Sequence, residues 1–562
     1  MICSRIKFSA FPFLLLMVSL LLNACVPLSA NSMALETSAV QATTLPPVFP
    51  SAIPKPTEML LDGIWFDTGV PADVRQNFGR LTDGVAMDQA SAAVVIAPIK
   101  QNMVQKPDYK YEQIFVLVAP FPTVMDAVES AEIEAAWQGK IGLKLGEETL
   151  YLSPLTRTAL IALWGQPLGK RVQAVAAENL LSQVWKQQNS LAIIPFEMLE
   201  PRWKVMQVDG INVLDSSASL NGYPLKVTYG VYPRRLLSAA DTRKLSSIPV
   251  SNRDSSRMTS LLLTGTTALV RNTALQMEEY GVTYPSLAIR DLLRAADITH
   301  ISNEVPFYQK CPPAKPLRVE MRFCSAPSYF ALLEDVGTDV VELTGNHVLD
   351  WGYEPFRYTL DLYKQKGMPF YGGGANAEEA RKAILIENKG NKLAFIGCNV
   401  PGPEDVFAKK DLPGAAKCDL DWLAGEVKRL DETGYLPIVT FQHYEVEDYK
   451  PQSQQRVDFL RMAASGAALV SGSQAHAPQG MAFVGPVFVH YGLGNLFFDQ
   501  MADFNRPAFI DRYTIYAGKV ISVELITTML ENYAQPRLMT ADERVQFLSK
   551  IFAASVWNTQ GE

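Results

Sequence analysis

Hydrophobic and polar positions divide this chain of 562 residues into stretches of different rhythm. Phe11–Leu22 is one continuous apolar run, preceded by Arg5 and Lys7 and too short for a comfortable bilayer span. Residues 26–57 are rich in Ala, Ser, Thr and Pro and show no periodicity, which predicts a tether. From residue 58, short apolar runs alternate with amphipathic stretches. Ala92-Ala-Val-Val-Ile-Ala, Gln113-Ile-Phe-Val-Leu-Val-Ala and Leu191-Ala-Ile-Ile-Pro read as buried strands, and Val124–Ala136 and Arg171–Gln187 as helices. Residues 238–257, rich in Ser, Arg and Asp, break the pattern as a linker. Alternation resumes at Met258-Thr-Ser-Leu-Leu-Leu-Thr and runs to about residue 530. Residues 531–562 form a tail in which Val545, Leu548, Ile551 and Phe552 have helical spacing. The predicted fold class is α/β, with separate α/β domains at 58–237 and 258–530; one ordinary core would not hold so long a chain.

With 48% hydrophobic and 19% charged residues the chain is globular in composition. Its net charge of −7 argues against a nucleic-acid partner, since no basic surplus exists to neutralise phosphates; a local basic patch could still serve an anionic substrate. The leader changes the picture more. Leu22-Asn23-Ala24-Cys25 resembles a bacterial lipobox, so residues 1–25 are expected to act as a lipoprotein signal, with Cys25 lipidated and the protein held on the outer face of the cell membrane. Plain secretion with cleavage after Leu28-Ser29-Ala30 is the alternative. Outside the cytoplasm, Cys311, Cys324, Cys398 and Cys418 are expected to be disulfide-bonded. Three pairings are possible, and Cys311 with Cys324, flanking Pro312-Pro-Ala-Lys-Pro316, is the expected one. No CxxC pair offers a thiolate zinc site.

All five histidines lie in the second half, and four sit in polar, glycine-containing clusters: Thr344-Gly-Asn-His347 with Asp350, Gln442-His443 with Glu445, Gly472-Ser-Gln-Ala-His476, and His490-Tyr-Gly-Leu-Gly-Asn495. Most follow apolar runs such as Asp339-Val-Val-Glu-Leu and Pro437-Ile-Val-Thr-Phe, the signature of buried strands ending in site-bearing loops. Glu304, Asn346, His443 and His476 are residue types that could hold a metal from separate strand ends. His347 beside Asp350 suits an oriented proton-transfer group. The plainer reading is that the glycines supply tight turns, and that His300 is structural.

In chain order these clusters resemble the CapA family of capsule or poly-γ-glutamate synthesis proteins. The matching elements are Gly265-Thr266, Asn303-Glu304, Asn346-His347 with Asp350 and Gly352, His443 with Glu445, Gly472 with His476, and Tyr491 with Asn495. The resemblance covers roughly residues 258–500. It implies a calcineurin-like α/β sandwich, a role in making, exporting or attaching an anionic surface polymer together with its synthesis machinery, and a metallophosphoesterase-like site. Two positions depart from the family: Thr266 stands where an Asp is usual, and Gln474 where a His is usual. A dinuclear centre would lose a carboxylate and an imidazole, so the expectation is one divalent ion, Zn²⁺ or Mn²⁺, or none. Thr266, Asn303, Glu445, Gln474 and Asn495 then become candidate substrate-binding groups. The expected function is a metal-assisted hydrolase or transferase; the alternative is a non-catalytic binding or scaffold protein. In the first half, Val118-Ala-Pro-Phe-Pro, Leu191-Ala-Ile-Ile-Pro-Phe and Asn221-Gly-Tyr-Pro-Leu resemble extracytoplasmic solute-binding proteins, with Trp137, Trp164 and Trp203 as core packing or cleft walls.

Overall fold

The apolar runs of the first half pair into one mixed sheet of eight strands. The computed structural model describes residues 63–557, apart from 80–85, 87, 100–105, 143–144, 146–147, 188–189, 235, 237–238 and 317–320. The leader, Cys25 and the tether therefore lie outside the described residues. The sheet runs Ile64–Phe66, Val94–Pro98, Lys226–Pro233, Tyr109–Pro120, Ser190–Pro195, Thr149–Leu152, Val172–Ala174, with Trp203–Val205 paired to the fourth of these. Both predicted helices start later than their periodicity suggested, at Ser130 and Ala177. Ala127–Val128 is instead a short strand paired with Gln207–Val208, and the Val124 carbonyl accepts a bond from Arg544, so residues 124–128 are held extended. Trp137 and Trp164 meet edge to face at 5.3 Å, and Trp137 and Trp203 are buried, which makes them core.

The second half is a sandwich of two sheets. One runs Phe370–Tyr371, Val340–Glu342, Ile298–Asn303, Met258–Thr264, Pro507–Tyr516, Lys519–Glu531, Gln535–Leu538. The other runs Ile384–Asn388, Asn391–Asn399, Leu436–Gln442, Leu469–Ser471, Val487–His490, Met481–Val484. The inner faces meet through Leu261, Leu263 and Ile298 from one sheet and Phe395, Ile438 and Leu469 from the other. Outer faces are covered by helices: Arg271–Tyr280, Phe330–Asp335 and Tyr353–Gln365 on one side, Leu420–Glu432 and Ser453–Ala464 on the other. Buried on both faces, the central strands need the near-continuous apolar runs the sequence shows.

The tail becomes the Ala541–Ala554 helix, started by a capping box between Thr540 and Glu543. Phe547, Leu548 and Ile551 are buried, while Val545 is 48% exposed and off the packed face. All described residues lie in one compact unit, Glu58–Glu562. Phe121 of the first half packs against Phe483, Phe488 and Trp557, and Met258 and Ile521 join the first half's core. Within residues 238–257, Ala239–Ser246 is helical and Asn252 bonds both backbone groups of Ile114. No helix among the described residues is long and apolar enough to cross a membrane.

Two glycines set how closely the site-bearing loops approach. A Cβ at Gly265 would lie 1.9 Å from the Gly494 carbonyl oxygen, and one at Gly472 1.9 Å from that of Tyr491. Both obstacles are backbone and cannot rotate away. Gly472→Ala is expected to cost roughly 2–3 kcal/mol, by analogy with overpacked cores, measured as a fall in urea midpoint at unchanged slope.

Candidate functional site

Parallel strands of each sheet end at a common edge, and the candidate residues are the last residues of those strands or the first of the loops beyond. Thr266 pairs in register with Ser302 and Asn495, and Thr267 with Asn303. Gly345 passes over the end of the neighbouring strand, where a Cβ would come within 2.6 Å of the Glu304 carbonyl oxygen. The second sheet contributes Gln442-His443 and Ser471 to His476 from adjacent strand ends.

Glu304, Glu445 and His476 converge. One ligand-type atom from each lies within 4.8 Å of the others. His476 Nε2 stands 3.6 Å from Glu304 Oε1 and 3.4 Å from Glu445 Oε1. Its Nδ1 is 2.9 Å from Asn495 Oδ1, an acceptor only, so the proton sits on Nδ1 and Nε2 faces the carboxylates. Burial opposes a charged ring, but Glu304 and Glu445 outweigh it and the His476 pKa is raised to about 9. Glu304 is buried, which pushes its pKa up against the pull of His476 and His347. Neither of its oxygens has a hydrogen-bond partner in the protein.

His347 neighbours this group. Its Nδ1 is 2.8 Å from Asp350 Oδ2, and Asp350 is itself held by the Phe323 backbone N–H at 2.7 Å. Burial disfavours charge on His347, but Asp350 and Glu304 prevail and its pKa is raised. Phe323 stacks on His347 at 4.7 Å and Phe498 on His476 at 5.1 Å.

His443 is bonded differently. Its Nε2 is 3.0 Å from Asp458 Oδ2, its Nδ1 has no partner, and it is not among the three convergent ligands. Burial lowers its pKa despite Asp458. Glu445, expected to touch substrate, instead joins the ligand cluster. Asn495 is committed to His476 and Gln500. Asn303 donates to Val305 O and Tyr363 Oη.

The strand ends also collect buried polar atoms with no partner in the protein: Thr266 Oγ1, Thr267 Oγ1, Ser302 Oγ, Asn346 Oδ1, Ser471 Oγ, and both amide atoms of Gln442 and Gln474. Each would cost about 1–3 kcal/mol if left unsatisfied, so their concentration marks a place for something polar. Sequence reading did not single out Thr267, Ser302, Asp458, Phe323 or Phe498, and gave Gln442 only as the neighbour of His443. Position beside a chosen cluster could have flagged Thr267 and Ser302. Asp458 lies on a helix fifteen residues after His443, and nothing local marks it.

A divalent cation suits this donor set. Its two carboxylates and one imidazole would balance such an ion's charge, and Asn495 orients the imidazole from behind.

Residues 260–500 match the family model described as Bacterial capsule synthesis protein PGA_cap. The chain is 22% identical over 277 residues to the Capsule biosynthesis protein CapA of Bacillus anthracis, covering 47% of this chain and 66% of that one. It is 23% identical over 214 residues to the PGA biosynthesis protein CapA of Bacillus subtilis (strain 168), covering 38% and 56%. Both matches thus span less than two thirds of the relative. Among solved structures, a 5'-nucleotidase precursor from Thermus thermophilus aligns with 14% identity and a TM-score of 0.32, over 52% of this chain and 58% of that chain. The resemblance noted in the motifs therefore holds over residues 260–500: this part of the chain matches the PGA_cap model and is similar to CapA.

Proposed function

We propose that this protein is an exported, Cys25-anchored participant in making or attaching an anionic surface polymer, and that its C-terminal half is a metal-assisted hydrolase or transferase acting on a phosphoester or amide bond. The observation that carries the chemistry is the convergence of Glu304, Glu445 and His476 amid unpartnered buried polar atoms. Export is supported by the leader and by two disulfides, Cys311–Cys324 and Cys398–Cys418, of the kind oxidising compartments favour.

Glu304, Glu445 and His476 would hold one divalent ion, which when bound polarises a substrate oxygen. Thr266, Asn346 and Gln474 offer neutral hydrogen-bonding groups to the substrate. Asp350 fixes the proton of His347 on Nδ1, leaving Nε2 to exchange a proton with the attacking or leaving group. The neutral side chains at Thr266 and Gln474 favour a second reading, a ligand-binding scaffold without turnover.

Titration of metal-free protein with Mn²⁺, followed by turnover of a generic phosphodiester and of an amide substrate, separates the readings. One ion per chain with turnover supports the enzyme, and one ion without turnover the scaffold. No saturable binding defeats the metal site. Thr266→Asp with Gln474→His should raise the stoichiometry from one ion toward two. Asn495→Ala, which frees the back of His476, should weaken ion binding about 10- to 100-fold. Membrane attachment is expected to be lost in Cys25→Ala; finding wild-type protein unlipidated and starting at Asn31 would defeat the anchor.

A further inference from the structure

Phe323, the ring that stacks on His347, also lines a small cleft together with Arg271, Lys315, Arg322 and both halves of the Cys311–Cys324 disulfide. Among the described residues no carboxylate lines it. Arg271 is already paired with Asp499, which leaves Lys315 and Arg322 as the cations of the cleft open to an anion in a chain of net charge −7.

Two of the three cations are held in place. Arg271 has a backbone φ of +49°, a conformation L residues rarely adopt. Its Nε and Nη2 are engaged by Asp499, which also takes both the backbone N–H and the side-chain amide of Asn272. The guanidinium lies between two rings, 5.2 Å from the centre of Phe323 and 4.6 Å from that of Phe498. Those are the rings that cover His347 and His476. Arg322 donates from Nε to the Asp350 carbonyl at 2.6 Å and stacks over Trp351 at 4.3 Å. Neither Arg322 nor Lys315 has a carboxylate partner among the described residues. Pre-placed guanidinium groups with spare N–H donors recognise planar or tetrahedral oxyanions.

The cleft is open to solvent, with about 30 Å³ of room for water-sized centres against the about 10–15 Å³ that one such centre needs, enough to seat one small charged group. We propose that this cleft is an oxyanion subsite, taking one carboxylate or phosphate group of a substrate of the neighbouring site. Its link to catalysis rests on the enzymatic reading above, but its occupancy does not.

The test uses metal-free full-length protein at low salt, with inorganic phosphate and acetate titrated separately by calorimetry. Saturable binding of either ion supports the subsite, and the tighter of the two names the group. Arg322→Met and Lys315→Met, both at exposed positions, should each weaken it, Arg322→Met by about tenfold. Lys428→Met, on a distant helix, should not. Arg271→Met should abolish binding if that variant folds. Mn²⁺ binding, measured in the same variants, should survive in Arg322→Met. Wild-type protein that binds phosphate but not Mn²⁺ would sink the metal reading and leave the subsite standing. No saturable binding of either anion, or binding unchanged in both Arg322→Met and Lys315→Met, overturns the subsite.

Discussion

Glu342→Ala should destabilise the protein by about 3–5 kcal/mol, the range for removing one partner from a buried charged group. Glu342 is fully buried at the end of the Val340–Glu342 strand. Its carboxylate accepts from Thr344 Oγ1 at 2.7 Å and from Ser473 Oγ, and lies 3.5 Å from His300 Nε2. Thr344 leads into the loop of Asn346 and His347, and Ser473 belongs to the loop of Gln474 and His476. One buried carboxylate thus ties a loop of each sheet together beneath the site. Burial alone would raise its pKa, but His300, Ser473 and Thr344 outweigh it and hold the carboxyl below its ordinary 4.5. A depressed folded-state pKa contributes stability that is present above 4.5 and lost as pH falls through the folded value. Glu342→Gln should therefore be less stable than wild type at pH 7, with the gap closing as pH drops below about 4.5. Urea unfolding at several pH values measures it; a gap constant from pH 7 to 3 would mean the charge contributes nothing.

His476→Ala should reduce Mn²⁺ affinity by more than about 100-fold, since loss of a ligand exceeds the 10- to 100-fold typical of its supporting partners. Glu304→Ala should do the same, because Glu304 has no other bonding partner in the fold and its place is inside the cluster. His443→Ala is the contrast. With Nε2 on Asp458 and a position outside the convergent three, its loss should change affinity by less than about tenfold. Calorimetric titration of the three variants decides the ligand set. If His443→Ala loses the ion while His476→Ala keeps it, the site is centred on the other histidine.

The alternation of apolar runs and polar, glycine-containing clusters was enough to place buried parallel strands and to put the chemistry at their ends. Strands buried on both faces must be apolar throughout, and the loops that follow them must carry the polar groups. The local pairs His347–Asp350 and Cys311–Cys324 were also legible, since short loops leave few alternatives. Choice among partners far apart in sequence was not. His443 and His476 read alike as strand-end histidines. Only the packing of the Ser453–Ala464 helix gives one of them Asp458, and only the meeting of two sheets, with the pairing of two strand ends in one of them, gives the other Glu304 and Glu445. The basic cleft has the same origin: Arg271 and Arg322 lie 51 positions apart in the chain, and Phe323, set between Arg271 and His347, is what joins cleft to site. Local pattern decides which residues are buried, because burial follows periodicity. Which buried groups face one another depends on how the layers stack, and that is a property of the whole fold.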